Sequence, residues 1–147
     1  MAGHIRTLAY MCSGGTPGLN GMSVRNNVVK MSKLKHDLQG APAYAYYFKW
    51  QTPMLDGIPG AWHTAEIQFC FDNTKRCEQG TGNTLEAQAL AKKMSTAWAN
   101  FARTGNPSQP GLTWQPSDPT HDQTMIFDNQ CHMADDPDGE VRKVLLA

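Results

Sequence analysis

The sequence predicts an α/β protein, and one that is incomplete as a fold. The run Ala43-Tyr44-Ala45-Tyr46-Tyr47-Phe48-Lys49-Trp50 is aromatic-rich and apolar almost throughout. Such runs mark strands covered on both faces, as in a parallel or mixed sheet. A second, shorter strand reads over Thr124 to Asp128, and amphipathic helices read over 23–39 and from Asn83 to Arg103. A sheet of two strands is marginal alone. The first strand therefore wants neighbours and cover that this chain does not supply, which points to a piece of a larger α/β protein or a subunit that needs a partner.

Residues 1–22 form a weakly patterned arm, rich in the turn formers Gly14, Gly15, Pro17, Gly18 and Gly21. The rest, 23–147, reads as one structural unit. In the first helix Val24, Val28, Met31, Leu34 and Leu38 recur at steps of three and four, predicting the buried face. Ser23 suits the N-cap, and Arg25, Lys30, Lys33 and Lys35 read as a solvated basic face. Gly40-Ala41-Pro42 stops the helix. After the aromatic strand, 51–62 is a loop with Pro53, Gly57, Pro59 and Gly60, and 63–72 suits either a helical turn or an extended piece. Asn83 is placed to cap the second helix with Glu86 reaching back, and Leu90, Met94, Ala97, Trp98 and Phe101 share a face. Gly105-Asn106-Pro107 ends it. A proline-rich loop with Trp114 follows, then the short strand, a turn over 135–139 and a final helical piece over 140–146.

Composition excludes several classes. Lys+Arg and Asp+Glu both number 13, and this balance argues against a nucleic-acid partner. No run approaches the ~18 apolar residues of a membrane span, so no membrane partner is expected. The first residues lack the basic head and apolar stretch of a secretory signal; with Met1 as the true start the reading is cytoplasmic, and location is otherwise open. Cys12, Cys70, Cys77 and Cys131 permit two disulfides, a Cys70–Cys77 bridge among them, but free thiols suit the low density equally.

The chemistry-bearing stretch is Gly60-Ala61-Trp62-His63-Thr64-Ala65-Glu66-Ile67. A histidine in a Gly/Pro-rich loop after a strand is placed for acid–base work, because its ordinary pKa lies near neutrality. No Gly-x-Ser-x-Gly nucleophile elbow accompanies it; Gly21-Met22-Ser23-Val24-Arg25 fails at its last position and follows no strand. No metal-ligand spacing occurs, Cys131-His132 being an isolated pair, and no metal or cofactor is implied. Gly80-Thr81-Gly82 begins like a dinucleotide fingerprint but lacks the third glycine and a preceding strand, so it reads as a flexible lead-in to the next helix.

From about residue 40 to 145 the chain resembles the C-terminal part of the type-B carboxylesterases, the family of the cholinesterases and para-nitrobenzyl esterases. The resemblance rests on the ordered series 43–50, 60–71, Trp98-Ala99-Asn100-Phe101-Ala102-Arg103-Thr104-Gly105-Asn106-Pro107, Trp114-Gln115-Pro116, Met125-Ile126-Phe127 and Asp136-Pro137. It implies the C-terminal portion of an α/β-hydrolase fold, with two late strands of a mixed sheet and flanking helices. It implies a serine ester hydrolase acting on a small-molecule ester, with His63 as the triad histidine and Glu66 as a buried carboxylate behind it. Trp62 is the candidate for the substrate pocket. Thr64 stands where the family usually has a smaller residue, commonly glycine, and Cys70 replaces a usual aliphatic residue. In this fold the triad runs serine, acid, histidine, so the chain is expected to need the missing N-terminal part and to be inactive alone. A non-catalytic cholinesterase-like binding module and a truncated gene product without independent function stay open as alternatives.

Overall fold

A computed structural model describes residues 7–9, 19–118 and 120–145. Most of the 1–22 arm and Cys12 lie outside the described residues. In chain order the elements are β1 (Thr7–Ala9), α1 (Leu19–Asp37), β2 (Ala43–Phe48), α2 (Ile67–Cys70), α3 (Glu78–Thr81), α4 (Leu85–Thr104), β3 (Gln123–Phe127), β4 (His132–Asp135) and α5 (Gly139–Leu145). The two expected strands pair with each other in parallel, Tyr46 opposite Met125 and Phe48 opposite Phe127. Two further strands flank them: β1 runs parallel to β2, and β4 antiparallel to β3, giving the order β1-β2-β3-β4.

Against the expectation that this chain supplies neither neighbours nor cover for its aromatic strand, β1 and β3 flank β2, and both of its faces are covered. Tyr44, Tyr46 and Phe48 point into the main core with α4, while Ala45 and Tyr47 meet Val28 of α1 on the other face. Tyr46 is the hub of the larger core. Its ring meets Trp98, Trp114 and Phe127 at 5.0, 6.1 and 5.8 Å, all edge-to-face. Such pairs contribute about 0.5–1.5 kcal/mol each beyond burial. Trp114, from the proline-rich loop, is buried, and its indole N–H donates to the Ala45 carbonyl at 3.2 Å. A loop residue thus closes the core that the strand and α4 begin.

Helix α4 behaves as its periodicity predicts: Ala87, Leu90, Ala91, Met94 and Ala97 are buried. Its cap lies one residue later than expected. Thr84, not Asn83, accepts from the Ala87 N–H, while Asn83 sits at φ 44°. The Glu86 carboxyl, held by its own backbone N–H and then by the Thr84 hydroxyl, lies below its ordinary value. No disulfide joins Cys70 to Cys77, and burial pushes the Cys131 thiol up.

Helix α1 departs from expectation. It begins at Leu19, so Ser23 lies inside it and is not its cap. Its buried face is Arg25, Val28, Val29 and Ser32, whereas Met31, Leu34 and Leu38 are exposed. The seat is rolled by roughly 100°, one residue's step, from the one hydrophobicity predicts. The cause is charge. Arg25, which is fully buried, donates from Nε to both Asp138 oxygens at 2.9 and 3.2 Å and from Nη2 to Thr124 Oγ1 at 3.0 Å. Arg142 of α5 pairs with Asp136 and lies 3.5 Å from Asp138. One guanidinium therefore ties α1 to β3 and to the start of α5.

Removing one partner of a buried pair strands the other charge, at a cost of about 3–5 kcal/mol. Asp138→Ala is expected to lower the urea-unfolding free energy by that amount. Asp138→Ala combined with Arg25→Met is expected to cost less than Asp138→Ala alone, because the stranded charge is then gone.

Candidate active site

The loop that follows β2 is pinned before it reaches the histidine. The Thr52 N–H donates to the Gly60 carbonyl at 3.4 Å, and the buried Thr52 hydroxyl accepts from Met54 N–H at 3.0 Å. Leu55 and Asp56 take left-handed backbone at φ 50° and 55°, which folds the segment back on itself. From Trp62 the chain winds through consecutive turns. Ala65 N–H donates to Trp62 O, Ile67 N–H to Thr64 O, and Cys70 N–H to Glu66 O, at 3.1, 3.1 and 2.9 Å. The ambiguous stretch 63–72 is therefore helical rather than extended, and the single turn α2 is its regular part.

Within these turns the three candidate side chains part company. His63 is exposed, and its imidazole makes no hydrogen bond among the described residues. Glu66 is 2% exposed, with Oε2 fully enclosed and unpartnered among the described residues. It lines a groove of about 440 Å³ between α2 and α4, with Tyr46, Ile67, Cys70, Phe71 and Trp98 among the walls. Trp62 faces elsewhere. It is half-buried, packs on the main core, and borders a cavity of about 460 Å³ with Met54, Gln68 and residues 75–81. Histidine and glutamate are thus three residues apart but do not touch. Sequence reasoning missed Thr52, within the loop, and Gly80, whose carbonyl accepts the Thr52 hydroxyl from outside it; their signal lies in packing between segments, not in any local pattern.

Thr64 is the third non-glycine residue after β2 to take left-handed backbone, following Leu55 and Asp56. It sits at φ 71°, and its hydroxyl donates to the His63 carbonyl. A β-branched residue in left-handed backbone is an outlier that costs about 1–3 kcal/mol.

A family model described as the carboxylesterase family matches residues 19–143. The chain belongs to the carboxylesterase family. Para-nitrobenzyl esterase of Bacillus subtilis (strain 168) is 31% identical over 108 residues, which is 72% of this chain and 22% of that esterase. Carboxylesterase 5A of Canis lupus familiaris is 34% identical over 100 residues, 63% of this chain and 17% of that protein. Among solved structures, a thermophilic para-nitrobenzyl esterase superposes with a TM-score of 0.70 at 25% identity, over 87% of this chain and 28% of that one. A Geobacillus stearothermophilus carboxylesterase gives 0.72 at 27% identity, over 88% and 27%. The chain therefore spans about a fifth of these curated carboxylesterases and just over a quarter of these structures, and its architecture is a portion of the α/β-hydrolase fold. Only glycine enters the left-handed region of Thr64 freely, so the threonine there carries a backbone cost.

Thr64→Gly is expected to relieve the strain at the loss of one exposed hydrogen bond. The net expectation is a gain of about 1 kcal/mol, read as a raised midpoint in urea unfolding; a lowered midpoint would show that the threonine is not strained there.

Proposed function

We propose that this chain supplies the histidine of a carboxylic-ester hydrolase. The observation that carries the reading is His63 itself. It is an exposed imidazole without a hydrogen bond among the described residues, at the head of a hydrogen-bonded turn inside the family-matched span. In the complete site a serine hydroxyl attacks the ester carbonyl while one imidazole nitrogen of His63 takes its proton. His63 then returns that proton to the leaving alkoxide. A carboxylate from the rest of the fold holds the other ring nitrogen, and backbone N–H groups there hold the oxyanion.

Glu66 serves behind this centre and not as the triad acid. Its enclosed oxygen faces no donor among the described residues, and an unpaired buried carboxylate is costly. The remainder of the fold, when seated on the Glu66 groove, supplies that donor. Trp62 forms one wall of the cavity it borders and shapes the space for part of the ester; its place beside His63 in the chain supports this. The substrate is a small carboxylic ester.

The test is hydrolysis of p-nitrophenyl esters. The purified 147-residue chain is expected to give no turnover, because it has no nucleophile elbow. The same residues joined to a preceding segment with Gly-x-Ser-x-Gly are expected to turn over, and His63→Ala in that form to lower kcat by roughly a thousandfold or more. Steady turnover by the isolated chain that His63→Ala abolishes would contradict the reading.

A further inference from the structure

The Gly80-Thr81-Gly82 run has no part in the reading so far, yet each of its residues meets the histidine loop or fixes the segment that does. At Gly80 an added Cβ would lie 2.9 Å from Trp62 Cη2 and 3.1 Å from Cζ2. The indole therefore rests on bare backbone. The other side of the same peptide is held too, since the Thr52 hydroxyl donates to the Gly80 carbonyl at 2.5 Å. At Gly82, φ is +63° and an added Cβ would lie 2.6 Å from Pro53 Cγ. Between them Thr81 is buried. Its hydroxyl donates to the carbonyls of Thr74 and Cys77 at 2.8 and 3.2 Å and accepts from Asn83 N–H at 3.2 Å.

We propose that Gly80-Thr81-Gly82 is a seat that positions the catalytic loop, with Gly80 as a positioning residue acting on His63 through Trp62. The inference rests on the esterase reading for its purpose, but its geometry stands apart from it. Thr52 and Pro53 dock the start of the loop on the seat, and Trp62 docks its end. The indole is a rigid plate packed on the main core, so its outer edge moves only by turning the ring about its side-chain torsions against that core. The Trp62 carbonyl accepts the Ala65 N–H at 3.1 Å, which couples Trp62 to the turn that carries His63. Gly80 is the informative position because nothing else there objects to a side chain. It lies in α3, its φ is not left-handed, and Trp62 supplies the contacts under 3.4 Å. Alanine in a helix ordinarily stabilises relative to glycine; here the Trp62 ring reverses the sign.

The test is a two-position cycle in the 147-residue chain. Gly80→Ala is expected to lower the Tm by on the order of 3 °C and to shift the NMR signals of the His63 amide and imidazole. Trp62→Phe lacks the two colliding atoms. In that background Gly80→Ala is expected to raise the Tm and leave the His63 signals where Trp62→Phe alone puts them. If Gly80→Ala does not fold, recovery of folding in the double variant supports the seat. Failure of the double variant while Trp62→Phe folds overturns it, as does a Gly80→Ala chain with raised Tm and unmoved His63 signals. In an esterase-active longer form, Gly80→Ala is expected to lower kcat about tenfold or more, with KM moving as well because Trp62 borders the space for the ester. Absence of esterase activity in every form would sink the esterase reading and leave the Tm and NMR outcomes to decide the seat.

Discussion

The edge-to-face packing of Tyr46 is the constraint on which the rest of this molecule depends. One ring from the centre of β2 meets one aromatic each from α4, from the proline-rich loop and from β3. Edge-to-face packing is a favoured aromatic geometry, and this cluster seats β2 on α4. The chain then leaves the end of β2 and returns at the start of α4. The histidine loop and the glycine seat fill the span between those two points. The site is therefore positioned from beneath by an aromatic core and from the side by packing between segments.

Buried polar groups in the chain fall into two kinds. Around Arg25 the charges come in opposed pairs, and the network joins α1, β3 and α5, although Arg25 Nη1 and Arg142 Nε make no hydrogen bond among the described residues. In the histidine loop the enclosed Glu66 oxygen has no donor, and the Gln68 side-chain oxygen is likewise unpaired, among the described residues. Native interiors rarely leave such groups unsatisfied. The first kind ties distant elements of this portion together; the second leaves enclosed acceptors of the histidine loop without donors among the described residues.

The parts of the fold legible in the sequence are those whose physics is local. The β2 strand follows from a nearly unbroken aromatic and apolar run and the buried stripe of α4 from periodicity; both are present, β2 ending at Phe48, two residues short of the run. The cap of α4 was readable to within one residue, because Asn83 and Thr84 are both competent caps and the choice falls on backbone angle. Strands β1 and β4, of three and four residues, are too short to show a period. Trp114 gave no sign of burial, since its neighbours are turn formers. Arg25 was misread because helix periodicity ranks side chains by apolarity, and its partner Asp138 lies 113 residues away. Gly80 and Gly82 looked like flexible spacers for the same reason. What forbids a side chain there is Trp62 and Pro53, which only the tertiary fold brings near.

The roll of α1 has a consequence for how the chain finds its native state. The helix carries two rival faces that share Val28. One is apolar, with Met31, Leu34 and Leu38; the other is mixed, with Arg25, Val29 and Ser32. On hydrophobic burial alone the apolar face should win during early collapse. The native choice is enforced by Thr124 and Asp138, which lie 99 and 113 residues from Arg25 in the chain. The helix is therefore locally frustrated, and long-range polar contacts decide its seat. Its orientation is a record of partners met far along the chain rather than of its own apolar stripe.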